Sequence, residues 1–135
     1  EFVASALRAT GAEVGPSRGV LQALRGFGQV PYLSSPPTGY PLTSAEWTNG
    51  GAMLNRMNFA LALAAGRIDG VRVDPALAST GDVGALAAAV FPGRHDPQLV
   101  ATIRADVAAQ DTLDERRKAQ RALGLLVGSP VFQRR

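Results

Sequence analysis

The sequence predicts an all-α protein, an irregular bundle of six or seven helices with one long proline-rich loop. Three observations predict it. Apolar residues recur at helical spacing along most of the chain, as at Phe2, Val3, Ala6 and Leu7 and again at Ala119, Ala122, Leu123 and Leu126. No stretch alternates with the period of two that a half-buried strand requires. The junctions between periodic stretches carry helix-start chemistry, a Ser, Thr or Asp that accepts the first backbone N–H groups, several followed by proline.

The first helix spans 2 to 9 and ends where "TGAEVGPS" breaks the pattern. Ser17 caps the second, whose apolar face is Val20, Leu21, Leu24 and Phe27, with Gly28 at the position favoured by a C-terminal glycine. From 29 to 43 the four prolines Pro31, Pro36, Pro37 and Pro41 remove backbone donors and forbid helix. Helical pattern resumes from Ser44 around "AEW", breaks at Asn49, Gly50 and Gly51, and returns strongly over 52 to 65. There Leu54, Met57, Leu61 and Ala65 form one stripe and Ala52, Phe59 and Leu63 another. A helix apolar nearly all round is expected at the centre of the bundle.

"RIDGVRVDP" at 67 to 75 reads as turns, with Asp74 and Pro75 opening a short helical turn. Ser79 or Thr80 with Asp82 starts "VGALAAAVF", which stops at "PG". Asp96 followed by Pro97 opens a helix that turns Leu99, Val100, Ile103 and Val107 inward. Thr112 with Glu115 three residues on reads as a capping box for the next helix. Ser129 and Pro130 begin a last short turn.

At 135 residues, 46% hydrophobic and 19% charged, the chain suits one helical domain over 1–135 and argues against disorder. The longest apolar run, "FALALAAG", is far short of the roughly 20 residues that cross a bilayer. Thirteen of the 14 basic residues are Arg, which with the abundant Ala and Gly suggests a GC-rich bacterial genome. Net charge is +3, but outside "RRK" and the final "RR" the arginines are scattered, so no stripe suited to nucleic acid is built. The opening "EFVASALRAT" reads as helix, so the sequence is expected to be an excised piece of a longer protein.

Catalytic chemistry finds no constellation. Without Cys there are no disulfides, thiolate metal sites or Cys nucleophile. The single histidine, His95, lies in a polar turn and cannot make a tetrahedral zinc site alone. Ser129 follows Gly128 but precedes Pro130, which is not a nucleophile elbow. Asp111, Asp114 and Glu115 suit a helix N-terminus, with Asp114 to Lys118 as an i, i+4 pair. "GFGQ" lacks the third Gly and the Lys of a phosphate loop. No metal, no cofactor and no catalytic residue is assigned.

The stretch "SPPTGYPLTSAEWTNGGAMLNRMNFALALAAG" holds what remains. Asn55, Arg56 and Asn58 interrupt the apolar helix, and buried amides and guanidinium groups need partners, since one left unmade costs about 1–3 kcal/mol. The carbonyls of the neighbouring loop need donors too. The expectation is a clamp, with these three residues bonding helix 52–65 to the loop 29–50. The rival is a ligand site made by the same groups with Tyr40, Trp47 and Asn49, where the two rings offer a stacking platform for a sugar.

Those residues also carry a resemblance. The segment Pro36, Pro37, Gly39 and Tyr40, the pair Trp47 and Asn49, then Arg56, Asn58 and Phe59, and the closing Ser129, Pro130, Phe132 and Gln133 are in the order typical of the DUF1800 family, which the chain resembles in its C-terminal part. Tyr40 stands where many members carry Trp. The resemblance implies a mostly helical fold of unestablished function, from a larger exported bacterial protein, often encoded beside another exported family. It therefore implies a periplasmic or secreted parent, and the clamp makes the chain a structural or protein-interaction module whose expected partner is the rest of its own chain or that co-encoded protein. The alternative is part of an enzyme or carbohydrate-binding protein with an aromatic site near Tyr40 and Trp47.

Overall fold

The computed structural model describes residues 1–27, 50–93 and 96–133. Within them the chain is mostly helical, as its sequence predicts, with eight helices and one two-residue antiparallel pairing. The helices are α1 (Phe2–Ala9), α2 (Arg18–Gly26), α3 (Gly50–Ala64), α4 (Pro75–Ser79), α5 (Val83–Val90), α6 (Pro97–Ala108), α7 (Glu115–Gly128) and α8 (Pro130–Gln133). The number exceeds six or seven because the turns opened by Pro75 and Pro130 are helices in their own right. The proline-rich loop, Gly28, the "AEW" segment and His95 lie outside the described residues.

Helix starts follow their caps. Side-chain oxygens of Ser17, Asp74, Asp82 and Asp96 accept from Val20, Ala76, Gly84 and Leu99 N–H respectively, at 2.8–3.1 Å. The capping box expected at Thr112 is displaced by two residues. Asp114 caps α7, accepting from the N–H of Arg117 at 2.7 Å, because a carboxylate nearer the periodic stretch outcompetes a hydroxyl. Lys118 accordingly pairs with Glu115 at 3.2 Å, and Asp114 faces Arg117 at 3.8 Å.

The central element is α7 rather than the helix at 52–65. It packs against α3, α4, α5, α6 and α8, and its Ala119, Ala122, Leu123, Leu126 and Val127 are buried. In α3 only one face is covered, through Phe59, Ala60, Leu63 and Ala64, while Leu54 is 60% exposed. Alanine and leucine all round a helix do not specify which side is covered. Leu21 of α2 is likewise exposed, and the packed face there is Val20, Ala23, Leu24 and Phe27.

Small residues set the α3–α7 distance. A Cβ on Gly124 would lie 2.8 Å from Leu61 Cδ2 and 3.0 Å from Leu61 Cα, and one on Gly128 would lie 2.6 Å from Met57 Sδ. The two glycines, one turn apart, let the backbones approach where Ala60 supplies the smallest side chain opposite.

All five phenylalanines join one edge-to-face chain. Phe2 meets Phe27, Phe59 and Phe132 at centroid distances of 6.1, 6.2 and 6.0 Å, and Phe27–Phe59 and Phe91–Phe132 are each 5.9 Å apart. Such pairs contribute about 0.5–1.5 kcal/mol each beyond their buried area. They tie α1, α2, α3, the end of α5 and α8 together.

The strands β1 (Glu13–Val14) and β2 (Val71–Arg72) pair Glu13 with Arg72 and Val14 with Val71. Two residues are too short to leave an alternation in the sequence. The pairing brings the turn after α3 back to the entrance of α2, where Gly70 adopts φ +72 and a Cβ would lie 2.7 Å from the Pro16 carbonyl oxygen.

Candidate functional site

Of the six residues expected at a site, Tyr40, Trp47 and Asn49 lie outside the described residues. Asn55, Arg56 and Asn58 all sit on α3 but do not share one environment. At 100° per residue, Asn55 and Asn58 fall on one face and Arg56 on another. Asn55 and Asn58 are exposed, contrary to the expectation that they are buried, because α3 turns Phe59 and Leu63 to the core instead.

Arg56 faces the end of the chain. Its Nη1 donates to Gln133 Oε1 at 3.5 Å, and its guanidinium carbon lies 5.9 Å from the centre of the Phe2 ring. Gln133 Nε2 in turn donates to the Gly128 carbonyl at 2.8 Å. Ser129, buried, accepts from the N–H of Phe132 at 3.2 Å, so its hydroxyl caps α8. Four residues of the resemblance motifs, Arg56, Ser129, Phe132 and Gln133, are thus gathered from α3 and from α7–α8 into one packed corner. Neither Phe2 nor Gly128 was identifiable as part of it from sequence, since nothing local marks a ring or a carbonyl that receives a distant side chain.

Asn55 and Asn58 line a different feature, an open cleft of about 570 Å³ between α2 and α3. Asn55 Nδ2 donates across it to the Gly26 carbonyl at 3.2 Å. Arg18 and Gln22 contribute from α2, and Arg67 and Asp69 from the turn that follows α3. That turn is fixed by local chemistry. Gly66, at φ +67, ends α3 with its N–H on Leu63 O and the N–H of Arg67 on Ala62 O, both at 2.9 Å. Ser17 Oγ donates to the Asp69 carbonyl, holding the turn to the start of α2. Arg67 and Asp69 escape sequence reading because a charged residue in a turn is the ordinary solvated case.

Arg67 also lines a second cavity of about 560 Å³, together with Leu61, Ala65, Leu113, Arg117 and Arg121. Arg121 is already committed. Its Nε and Nη2 donate to the Asp106 carboxylate at 2.6 and 3.1 Å, a hydrogen-bonded pairing that holds Asp106 below, and Arg121 above, its ordinary pKa.

Among the described residues no group of three or more His, Asp or Glu is placed to hold a metal ion. No described helix is long and apolar enough to cross a membrane. No curated protein and no solved structure matches the chain. One family model, described as a protein of unknown function (DUF1800), matches residues 1–134, the span that carries both the Arg56 corner and the α2–α3 cleft. The order of motifs from Pro36 to Gln133 is thereby accounted for, and the chain belongs to the DUF1800 family.

Proposed function

We propose that the chain is a structural and protein-interaction module of an exported protein, held rigid by its motif residues and docking on the rest of its parent chain or on a co-encoded exported protein. The observation that carries this reading is the Arg56 corner. Arg56 donates to Gln133, Gln133 to the Gly128 carbonyl and the Phe132 N–H to the Ser129 hydroxyl, with Ser129 and Phe132 buried and Arg56 and Gln133 half-buried. A family pattern of that kind maintains a shape. Val14, Leu21 and Leu54 are each at least half exposed.

The test separates packing from chemistry. In the purified chain, Arg56→Ala is expected to lower the midpoint of thermal unfolding. In the parent protein it is expected to lower abundance and cellular activity together. An Arg56→Ala variant as stable and abundant as wild type, yet inactive in the cell, would overturn the reading and make Arg56 a site residue.

A further inference from the structure

The cleft between α2 and α3 has the makings of a ligand site, and we propose that it binds an acidic saccharide, a polyhydroxylated ring that carries a carboxylate. Its depth has a simple cause. Ala23 and Gly26 fall along the α2 face that borders the cleft, Ala62 faces them from α3, and Gly19 packs against the turn at Ile68 and Asp69 at one side. Side chains this small cannot interdigitate, so the helices leave about 570 Å³ between them, within the ~300–1,000 Å³ typical of small-ligand pockets.

The lining selects the ligand. Asn55, Asn58 and Gln22 each offer amide donors and an acceptor oxygen, the combination that answers a hydroxyl, itself both donor and acceptor. An apolar ligand would leave all three unanswered, and a bare phosphate would have no use for the acceptors. Asp69 accepts only, which again suits a hydroxyl. Arg18 and Arg67 outnumber Asp69, and a guanidinium fork matches a carboxylate in two parallel bonds. The half-buried Phe27, backed by the buried Phe59, supplies an apolar floor for the C–H face of the ring. The walls are held in advance, Asn55 by the Gly26 carbonyl and Asp69 through its own carbonyl by Ser17. Less order then has to be imposed on binding.

This inference goes beyond the packing reading and is independent of it. The experiment is isothermal titration of the purified chain with digalacturonate, and with cellobiose as a neutral disaccharide of similar size. A Cβ on Gly26 meets nothing within 4 Å, so Gly26→Leu places its side chain in open space and should fold as wild type. Arg67→Ala alters an exposed side chain and serves as the second variant. Circular dichroism melts confirm that both are folded. Expected are millimolar or tighter binding of digalacturonate, at least tenfold weaker binding of cellobiose, and at least tenfold loss of digalacturonate affinity in each variant. No binding of digalacturonate at millimolar concentration, equal affinity for cellobiose, or unchanged affinity in the folded variants would each overturn the proposal. The thermal stability of Arg56→Ala is not involved in any of these outcomes, so the two readings fail separately.

Discussion

Arg56 and Gln133 are 77 positions apart in sequence, and the guanidinium of one donates to the side-chain carbonyl of the other while the Gln133 amide donates on to Gly128. Gln133 thus relays between α3 and the end of α7. Its replacement by Ala is expected to cost about 0.5–1.5 kcal/mol, the net worth of one hydrogen bond, mostly through the 2.8 Å bond to Gly128. A urea-unfolding cycle of Arg56→Ala, Gln133→Ala and the double variant should then show coupling of about 0.5 kcal/mol or more. Strict additivity would mean that the long 3.5 Å contact contributes nothing.

The two glycines of α7 should differ on substitution. At Gly124 an added methyl meets the Leu61 Cα at 3.0 Å, which only a backbone shift relieves. At Gly128 the closest atom is the Met57 sulfur, at the end of a flexible side chain that can swing aside. Overpacking outweighs the roughly 1 kcal/mol gain in helix propensity at the first position and is offset by it at the second. Gly124→Ala is expected to lose about 1–2 kcal/mol by urea unfolding, and Gly128→Ala to stay within about 0.5 kcal/mol of wild type. The reverse order would contradict the close α3–α7 approach.

Gly70 and Gly66 both adopt positive φ, but they have different neighbours. Nothing lies within 4 Å of a Cβ on Gly66, whereas one on Gly70 would lie 2.7 Å from Pro16 O and 3.0 Å from Ser17 Cα. Gly66→Ala should cost about 1 kcal/mol of backbone strain, and Gly70→Ala about 2–4 kcal/mol in all. Paired thermal melts check the difference, which isolates the docking of the turn on α2.

The cap of α7 gives a direct comparison. Asp114→Ala removes the acceptor for Arg117 N–H and should cost about 0.5–2 kcal/mol. Thr112→Ala changes an exposed residue outside the helix and should be neutral within about 0.5 kcal/mol. Equal losses in denaturant would restore the capping box to Thr112.

Acid should release the Asp106–Arg121 pair. The folded carboxylate is held below its ordinary value, chiefly by its hydrogen bonds from Arg121. Its contribution is therefore complete above the unfolded-state value, near 4, and is lost as pH falls through the lowered folded value. Both side chains are 36% exposed, so solvent screening limits the pair to no more than about 1 kcal/mol. Asp106→Asn should show a deficit of that size at pH 7 that shrinks as pH falls through the lowered folded value. A deficit independent of pH would mean that packing, not charge, holds the pair.

What was legible in the sequence was local. Ser17, Asp74, Asp82 and Asp96 announce their helices because a cap and the N–H it receives are two or three residues apart. At Thr112 and Asp114 two candidates compete within one turn, and spacing alone favoured the wrong one. The covered side of α3 was not legible, since Leu54 and Leu63 look alike until α7 shows which it packs on. Arg56 and Asn58 were singled out as polar residues in an apolar helix, but their separation into a corner and a cleft depends on Gln133 and on α2, neither of which is near them in sequence. The resemblance found the family because it reads the order of motifs, which survives without knowledge of contacts.

The Phe2–Phe132 ring contact has a consequence in time. During synthesis α1 emerges before α8, yet one of its main aromatic partners belongs to that later helix. Closing so long a loop is slow, and apolar surface that waits for a late partner is open to wrong ones. The nascent chain therefore carries Phe2 incompletely covered until Phe132 has left the ribosome, so this aromatic cluster is a part of the core that closes late.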